Sequence, residues 1–256
     1  TAPVPRIVES EASVLPFLGR ERALAALNAH FDRTIAGEGR MVLISGEVGI
    51  GKTRLVETFL DVAARRSLQP LLTLQGRCYA AESSAPYAMW ADALQVFATD
   101  RGRPYLADLP QVWRMQLARL VPDLGVPARD MQGATAAESR LRLLQGVART
   151  LAHAAGAGVL CLWFDDLHWA DEASLAALHY IARHLVDQPL LIIGTSHPDA
   201  PDDAGSLQAL LAGIPHAATL TLSPLAPEAV DAMLRRLGYP DDTELARRLY
   251  RHSEGN

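Results

Sequence analysis

The chain has 256 residues, 49% of them hydrophobic and 21% charged, enough to bury one large α/β core and too apolar for a disordered chain. Its net charge of −5 excludes a surface built mainly to grip a nucleic-acid backbone, which needs clustered excess cations. The longest apolar runs, such as Val159–Phe164 and Leu190–Ile193, fall well short of the ~20 residues of a membrane helix.

Cys78 and Cys161 both lie in apolar stretches, which points to reduced thiols and a cytoplasmic location. The opening Thr1-Ala2-Pro3-Val4-Pro5 shows no apolar stretch behind a basic tip, so no secretory leader is expected there. Of the 24 basic residues only Lys52 is a lysine, so any chemistry that needs an ammonium must use it. A protein kinase requires a strand lysine paired with a helix glutamate, and here Lys52 already belongs to a different motif.

In chain order, residues 1–14 read as a linker. Leu24, Leu27, Phe31 and Ile35 step by three, four and four, a helical stripe between Arg20 and Ala36. The run Met41–Ile44 reads as a strand that turns at Gly46 into a second helix marked by Leu55, Phe59 and Val62. A strand is expected at Leu71–Leu74, and helical segments at 86–99 and 104–121 are interrupted by Pro104, Pro110 and Pro122. Thr135 and Glu138 form a capping-box pair ahead of a helix with Leu141, Leu144, Ala148 and Leu151 on its apolar face. Val159–Phe164 has the continuous apolarity of a strand covered on both faces. Asp171 is placed to cap the next helix, with Leu175, Leu178, Ala182 and Leu185 as its stripe. A strand at Leu190–Ile193, a short helix near 206–213 and a weaker strand at 218–222 follow.

Five strands alternating with helices predict an α/β fold with a five-stranded parallel sheet and helices on both faces. After Pro224 the pattern changes. Pro227 suits a first helical position, Gly238 a helix end, and Pro240 forbids continuation. The expected organisation is a main α/β domain over 15–224 and the beginning of a small helical lid over 225–256.

Gly46-Glu47-Val48-Gly49-Ile50-Gly51-Lys52-Thr53 matches G-x-x-x-x-G-K-[ST] in full, at a predicted strand-to-helix turn. Glycines let successive backbone N–H groups wrap a polyphosphate, and the helix that starts there adds its positive end. Lys52 supplies a point charge to the phosphates, Arg54 follows in the first turn, and Thr53 offers an oxygen to Mg²⁺. The second carboxylate site is expected at a neighbouring strand end, where Leu160–Phe164 runs into Asp165 and Asp166. Asp165 would hold the metal, and Asp166 would orient or deprotonate an attacking water.

With these residues in view, the chain resembles the STAND branch of AAA+ P-loop ATPases, in particular the Orc1-like ATPase domain of large bacterial LuxR-type and antibiotic-regulatory transcription regulators. Besides the phosphate loop, the resemblance rests on Phe17-Leu18-Gly19-Arg20-Glu21 and on Asp165-Asp166-Leu167-His168-Trp169-Ala170-Asp171. Leu222-Ser223-Pro224-Leu225 and Ser253-Glu254-Gly255-Asn256 add to it. The resemblance implies ATP or ADP with Mg²⁺ as ligands, Leu18 and Gly19 against the adenine, and Arg20 close by. It puts Asp166 at the catalytic-acid position, where relatives outside this group mostly carry glutamate; the shorter acid implies slow turnover. His197 takes the place where relatives carry an arginine that senses the γ-phosphate.

Two functional expectations follow. The first is an ATP-driven switch that regulates effector domains in the same polypeptide, with nucleotide-dependent self-association, no membrane contact and no direct DNA binding by this domain. The alternative is a faster remodelling or origin-initiator-like ATPase acting as an oligomer. Arg101, Arg103, Arg114 and Arg119, between the second and third strands, are expected to be solvated helix charges, with an arginine finger as the alternative. His168 is expected to brace its loop. His179 and His184, five apart, do not suit a metal pair on one helix face.

Overall fold

The computed structural model describes residues 18–82, 85–126, 135–197, 204–237, 243–253 and 255. The expected linker over 1–14, Phe17, Gly238, Pro240, Glu254 and Asn256 lie outside the described residues. The chain forms two compact units, one of Arg22–Ser223 and one of Thr1–Glu21 with Pro224–Asn256.

The larger unit follows from alternating apolar strand and amphipathic helix patterns. Its elements are α1 (Glu21–Ile35, which begins in the other unit), β1 (Arg40–Ser45), α2 (Lys52–Arg66), β2 (Leu71–Arg77), α3 (Ala88–Leu94) and α4 (Gln111–Leu117). Then come α5 (Ala136–Ala155), β3 (Val159–Asp165), α6 (Glu172–His184), β4 (Leu190–Ser196), α7 (Ala204–Ala212) and β5 (Ala217–Thr221). The five strands form one sheet in the order β2-β3-β4-β1-β5, and every pairing is parallel. β3 and β4 are buried at every residue, as continuous apolar runs in a two-sided sheet require.

Both faces of the sheet are covered. Leu160, Leu162 and Phe164 of β3 join one core with buried residues of α3, α5 and α6, and Trp90 meets Phe164 edge-on at 4.9 Å. The alternate residues Val159, Cys161 and Trp163 are equally buried. Phe31 of α1 and Phe59 of α2, both fully buried outside that core, pack edge-on at 5.7 Å.

Two details differ from the sequence reading. The segment 86–99 splits into α3 and a 3-10 turn (Gln95–Ala98), while 104–121 becomes a 3-10 turn (Arg103–Leu106) and α4, which starts after Pro110. Leu141 lies 47% exposed, so it does not belong to the buried face of α5; Leu143, Leu144, Val147 and Leu151 form that face. The capping box is present in both directions, with Glu138 N–H donating to Thr135 Oγ1 and Thr135 N–H donating to Glu138 Oε2.

In the smaller unit, α8 (Pro227–Arg236) carries Pro227 in its first turn, and α9 (Thr243–Ser253) follows. Leu225 N–H donates to the Gly255 carbonyl at 2.8 Å. Gly19 has φ +76, and a Cβ there would lie 2.7 Å from Ala229 Cβ, so both backbone and space demand glycine.

Candidate functional site

The loop between β1 and α2 is shaped by glycines. Gly49 (φ 81) and Gly51 (φ 94) adopt left-handed backbone, and Gly51 is the N-cap of α2 without any side-chain cap. A Cβ at Gly46 would sit 2.9 Å from Ile50 Cγ2 and 3.1 Å from the Leu222 carbonyl. α2 has no acid in its first turn, unlike α5 and α6 with Glu138 and Glu172. Its positive end is therefore not neutralised by its own sequence, which suits an anion. Ile50 is buried beneath the loop, while Val48 and Glu47 are exposed.

Lys52 is buried, and its Nζ donates to the carbonyls of Gly46 at 2.8 Å and Glu47 at 2.9 Å. Burial pushes its pKa below the ordinary lysine value, and the charges of Asp166 and Asp165 oppose that shift. Thr53 Oγ1 donates to the Asp165 carboxylate at 3.2 Å, so the structure brings the P-loop hydroxyl and the acid at the end of β3 together.

β3 is not β1's hydrogen-bonded neighbour, contrary to the simple expectation, because β4 runs between them. That placement introduces a residue the motif reading passed over. Thr195 of β4, fully buried, donates its hydroxyl to Asp165 at 2.6 Å and accepts the Asp166 N–H at 2.8 Å. Its signal lay in the Gly194-Thr195-Ser196-His197 run, but only the strand order shows that it faces the acids.

Asp166 adopts left-handed backbone (φ 58, ψ 48), which turns the chain sharply out of β3, and its side chain is half exposed. His168 Nδ1 lies 4.0 Å from Asp166 Oδ1, and its ring stands 6.2 Å from that of His197. Asp171 caps α6 by accepting the Ser174 N–H at 2.8 Å and also accepts the Tyr87 N–H at 3.3 Å. Arg54 lies in the first turn of α2, half-buried. Leu18, Gly19 and Arg20 belong to the smaller unit, where Gly19 N–H donates to Glu21 Oε1 at 3.0 Å and burial lowers the Arg20 pKa. Among the described residues no group of three or more His, Cys, Asp and Glu side chains is arranged to hold a metal. The donor set that fits a hard cation is the oxygen pair of Thr53 and Asp165.

Two of the insert arginines are more than solvated charges. Arg114 donates to the carbonyls of Leu109, Leu106 and Ala107, and Arg103 to that of Ala98. His184 is exposed and stacks on Tyr180 at 3.9 Å.

An uncharacterized protein of Rhizobium meliloti is 27% identical over 201 residues, which cover 72% of this chain and 19% of that protein. The chain thus spans about a fifth of that relative's length. Among solved structures, the Aeropyrum pernix ORC1 protein in complex with DNA matches with a TM-score of 0.51 at 15% identity, covering 89% of this chain and 52% of that one. The Pyrococcus horikoshii signal transduction ATPase with numerous domains (STAND), which carries a tetratricopeptide repeat sensor, matches at a TM-score of 0.46 and 17% identity, covering 93% and 28%. A family model described as an AAA ATPase domain matches residues 16–193. With that match over most of its length, and with the parallel sheet and phosphate-loop geometry above, the chain belongs to the AAA ATPase domain family.

Proposed function

We propose that the chain is a nucleotide switch: it binds ATP or ADP with Mg²⁺, hydrolyses ATP slowly, and thereby regulates effector domains, transcriptional ones by the family resemblance. The observation that supports this most directly is the convergence of Lys52, Thr53, Asp165 and Thr195 at the ends of β1, β3 and β4. Such a site has one ammonium, an unneutralised helix start and paired oxygen donors, the complement of a magnesium polyphosphate.

In this reading the backbone of Gly46–Gly51 and the side chains of Lys52 and Arg54 bind the phosphates. Leu18, Gly19 and Arg20 serve the base, and residues 225–256 act as the lid. Thr53 and Asp165 would hold Mg²⁺, which supplies positive charge against the phosphate oxygens. Asp166 orients or deprotonates the attacking water, and its half-exposed side chain is accessible for that task. His197 senses the γ-phosphate side. A contact made only to the γ-phosphate distinguishes ATP from ADP and so drives a switch.

The test is turnover of the chain with and without duplex DNA, together with its mass in solution. Slow turnover that DNA leaves unchanged supports the switch. Rapid DNA-stimulated turnover by an oligomer establishes the alternative, a remodelling or initiator-like ATPase. Two variants check the roles: Lys52→Ala loses nucleotide affinity, whereas Asp166→Asn binds ATP and loses turnover. Turnover that survives in Asp166→Asn removes the assignment of the base.

A further inference from the structure

Between β2 and β3, remote in sequence from the phosphate loop, the insert encloses a cleft of about 380 Å³. The volume falls within the ~300–1,000 Å³ of small-molecule sites. Its apolar lining comes from Phe97 and Leu106, both buried, with Leu124 and Val126. Two arginines, Arg103 and Arg114, also line it.

Arg114 is fixed before any ligand arrives. Its Nε donates to the Leu109 carbonyl at 3.0 Å, and one terminal nitrogen donates to the carbonyls of both Leu106 and Ala107. These bonds hold the planar fork in one orientation and leave its second terminal nitrogen without a partner among the described residues. Arg103 is anchored through Nε to the Ala98 carbonyl at 3.1 Å, and among the described residues its terminal nitrogens have no other partner. Neither side chain is in an ion pair among the described residues. The nearby carboxylate of Asp123 accepts from Gln95 instead. Carbonyls satisfy the hydrogen bonding of a guanidinium but leave its charge, so two arginines lining one cleft attract an anion.

We propose that this cleft is a binding site for a small organic acid, with an apolar body packed on Phe97 and Leu106 and an anionic head held between Arg103 and Arg114. The site is separate from the nucleotide site and does not rest on the proposed function. Two cations select the head, and the cleft's size selects a body of one or two rings.

The probe is 8-anilinonaphthalene-1-sulfonate, compared with its uncharged relative N-phenyl-1-naphthylamine, titrated into the intact chain by fluorescence. One saturable sulfonate site is expected, and Arg103→Gln weakens it at least fivefold while binding of the uncharged dye changes less than twofold. Arg103 makes one anchoring bond, so this variant keeps its melting temperature; Leu124→Glu, which puts a carboxylate in the cleft, abolishes sulfonate binding as an independent check. Mg·ATP leaves the dye in place. The proposal is overturned by absent or unsaturable dye binding, by equal affinity in Arg103→Gln, by equal loss of both dyes, or by displacement with Mg·ATP.

Discussion

The hydroxyl of Thr195 donates to the carboxylate of Asp165 at 2.6 Å while accepting the neighbouring Asp166 amide at 2.8 Å. One fully buried side chain on β4 thus holds two successive acids, Asp165 at the end of β3 and Asp166 just beyond it. Thr195→Val keeps the shape, removes the hydroxyl and strands the amide, a cost of ~1–3 kcal/mol. On the proposed reading ATP turnover falls about tenfold or more, ~1.4 kcal/mol at the barrier, because both acids lose their alignment. Calorimetry on the same variant shows nucleotide affinity little changed, since the phosphate loop is untouched. Unchanged turnover would remove Thr195 from the machinery.

Lys52 is the only lysine, so lysine labelled with ¹⁵N gives a single side-chain ammonium signal. Burial lowers its pKa, so the signal titrates at a pH below the ordinary lysine value of 10.5. Asp166→Asn removes a charge that raises it, and the midpoint moves lower still. In linkage terms, a depressed folded pKa means that the charged lysine costs stability at neutral pH. That cost is relieved as the pH climbs from the folded pKa toward the unfolded one.

Cys78 and Cys161 are buried, and burial pushes both thiols up to about 12; at Cys78 the charges of Asp166, Asp171, Asp165 and Asp92 add to the effect. Neither forms thiolate at pH 8, so an aromatic disulfide reagent leaves both unmodified in the native chain and titrates two thiols in denaturant. Because the folded state holds these protons more tightly, stability is lost as the pH rises from the ordinary 9.0 toward about 12.

Thr135→Ala removes the hydroxyl that accepts the Glu138 amide at the start of α5. The expected cost is ~1 kcal/mol, read as a lowered urea midpoint at constant slope. The Glu138 carboxyl is held below its ordinary pKa by its bonds to Thr135. Its contribution is therefore present at neutral pH and lost as the pH falls through that lowered value.

Most of the fold was legible because each device is local. Lys52 and Thr53 fall in one unbroken motif, Thr135 and Glu138 are three residues apart, and Asp171 directly precedes the helix it caps. Contacts that depend on strand order were not. Thr195 meets the acids only because β4 runs between β1 and β3. Trp90 Nε1 donates to the Ser174 carbonyl at 3.1 Å, and Tyr87 N–H to Asp171, each across 84 positions. Leu141 fits the helical period yet stays exposed: periodicity gives a stripe without saying which of its residues a neighbour covers. Arg103 and Arg114 looked like solvated charges because a sequence does not display the carbonyls of irregular turns.

Two carbonyls of the phosphate loop already hold the Lys52 ammonium. An anion therefore meets one remaining N–H, and gains the other two only by displacing the loop's own backbone. Chloride offers a single point of attraction and little advantage over two neutral oxygens, whereas a diphosphate or triphosphate offers several charged ones at once. On the proposed reading, the loop would thereby favour a polyphosphate over monovalent ions, sorting newcomers by charge density ahead of shape.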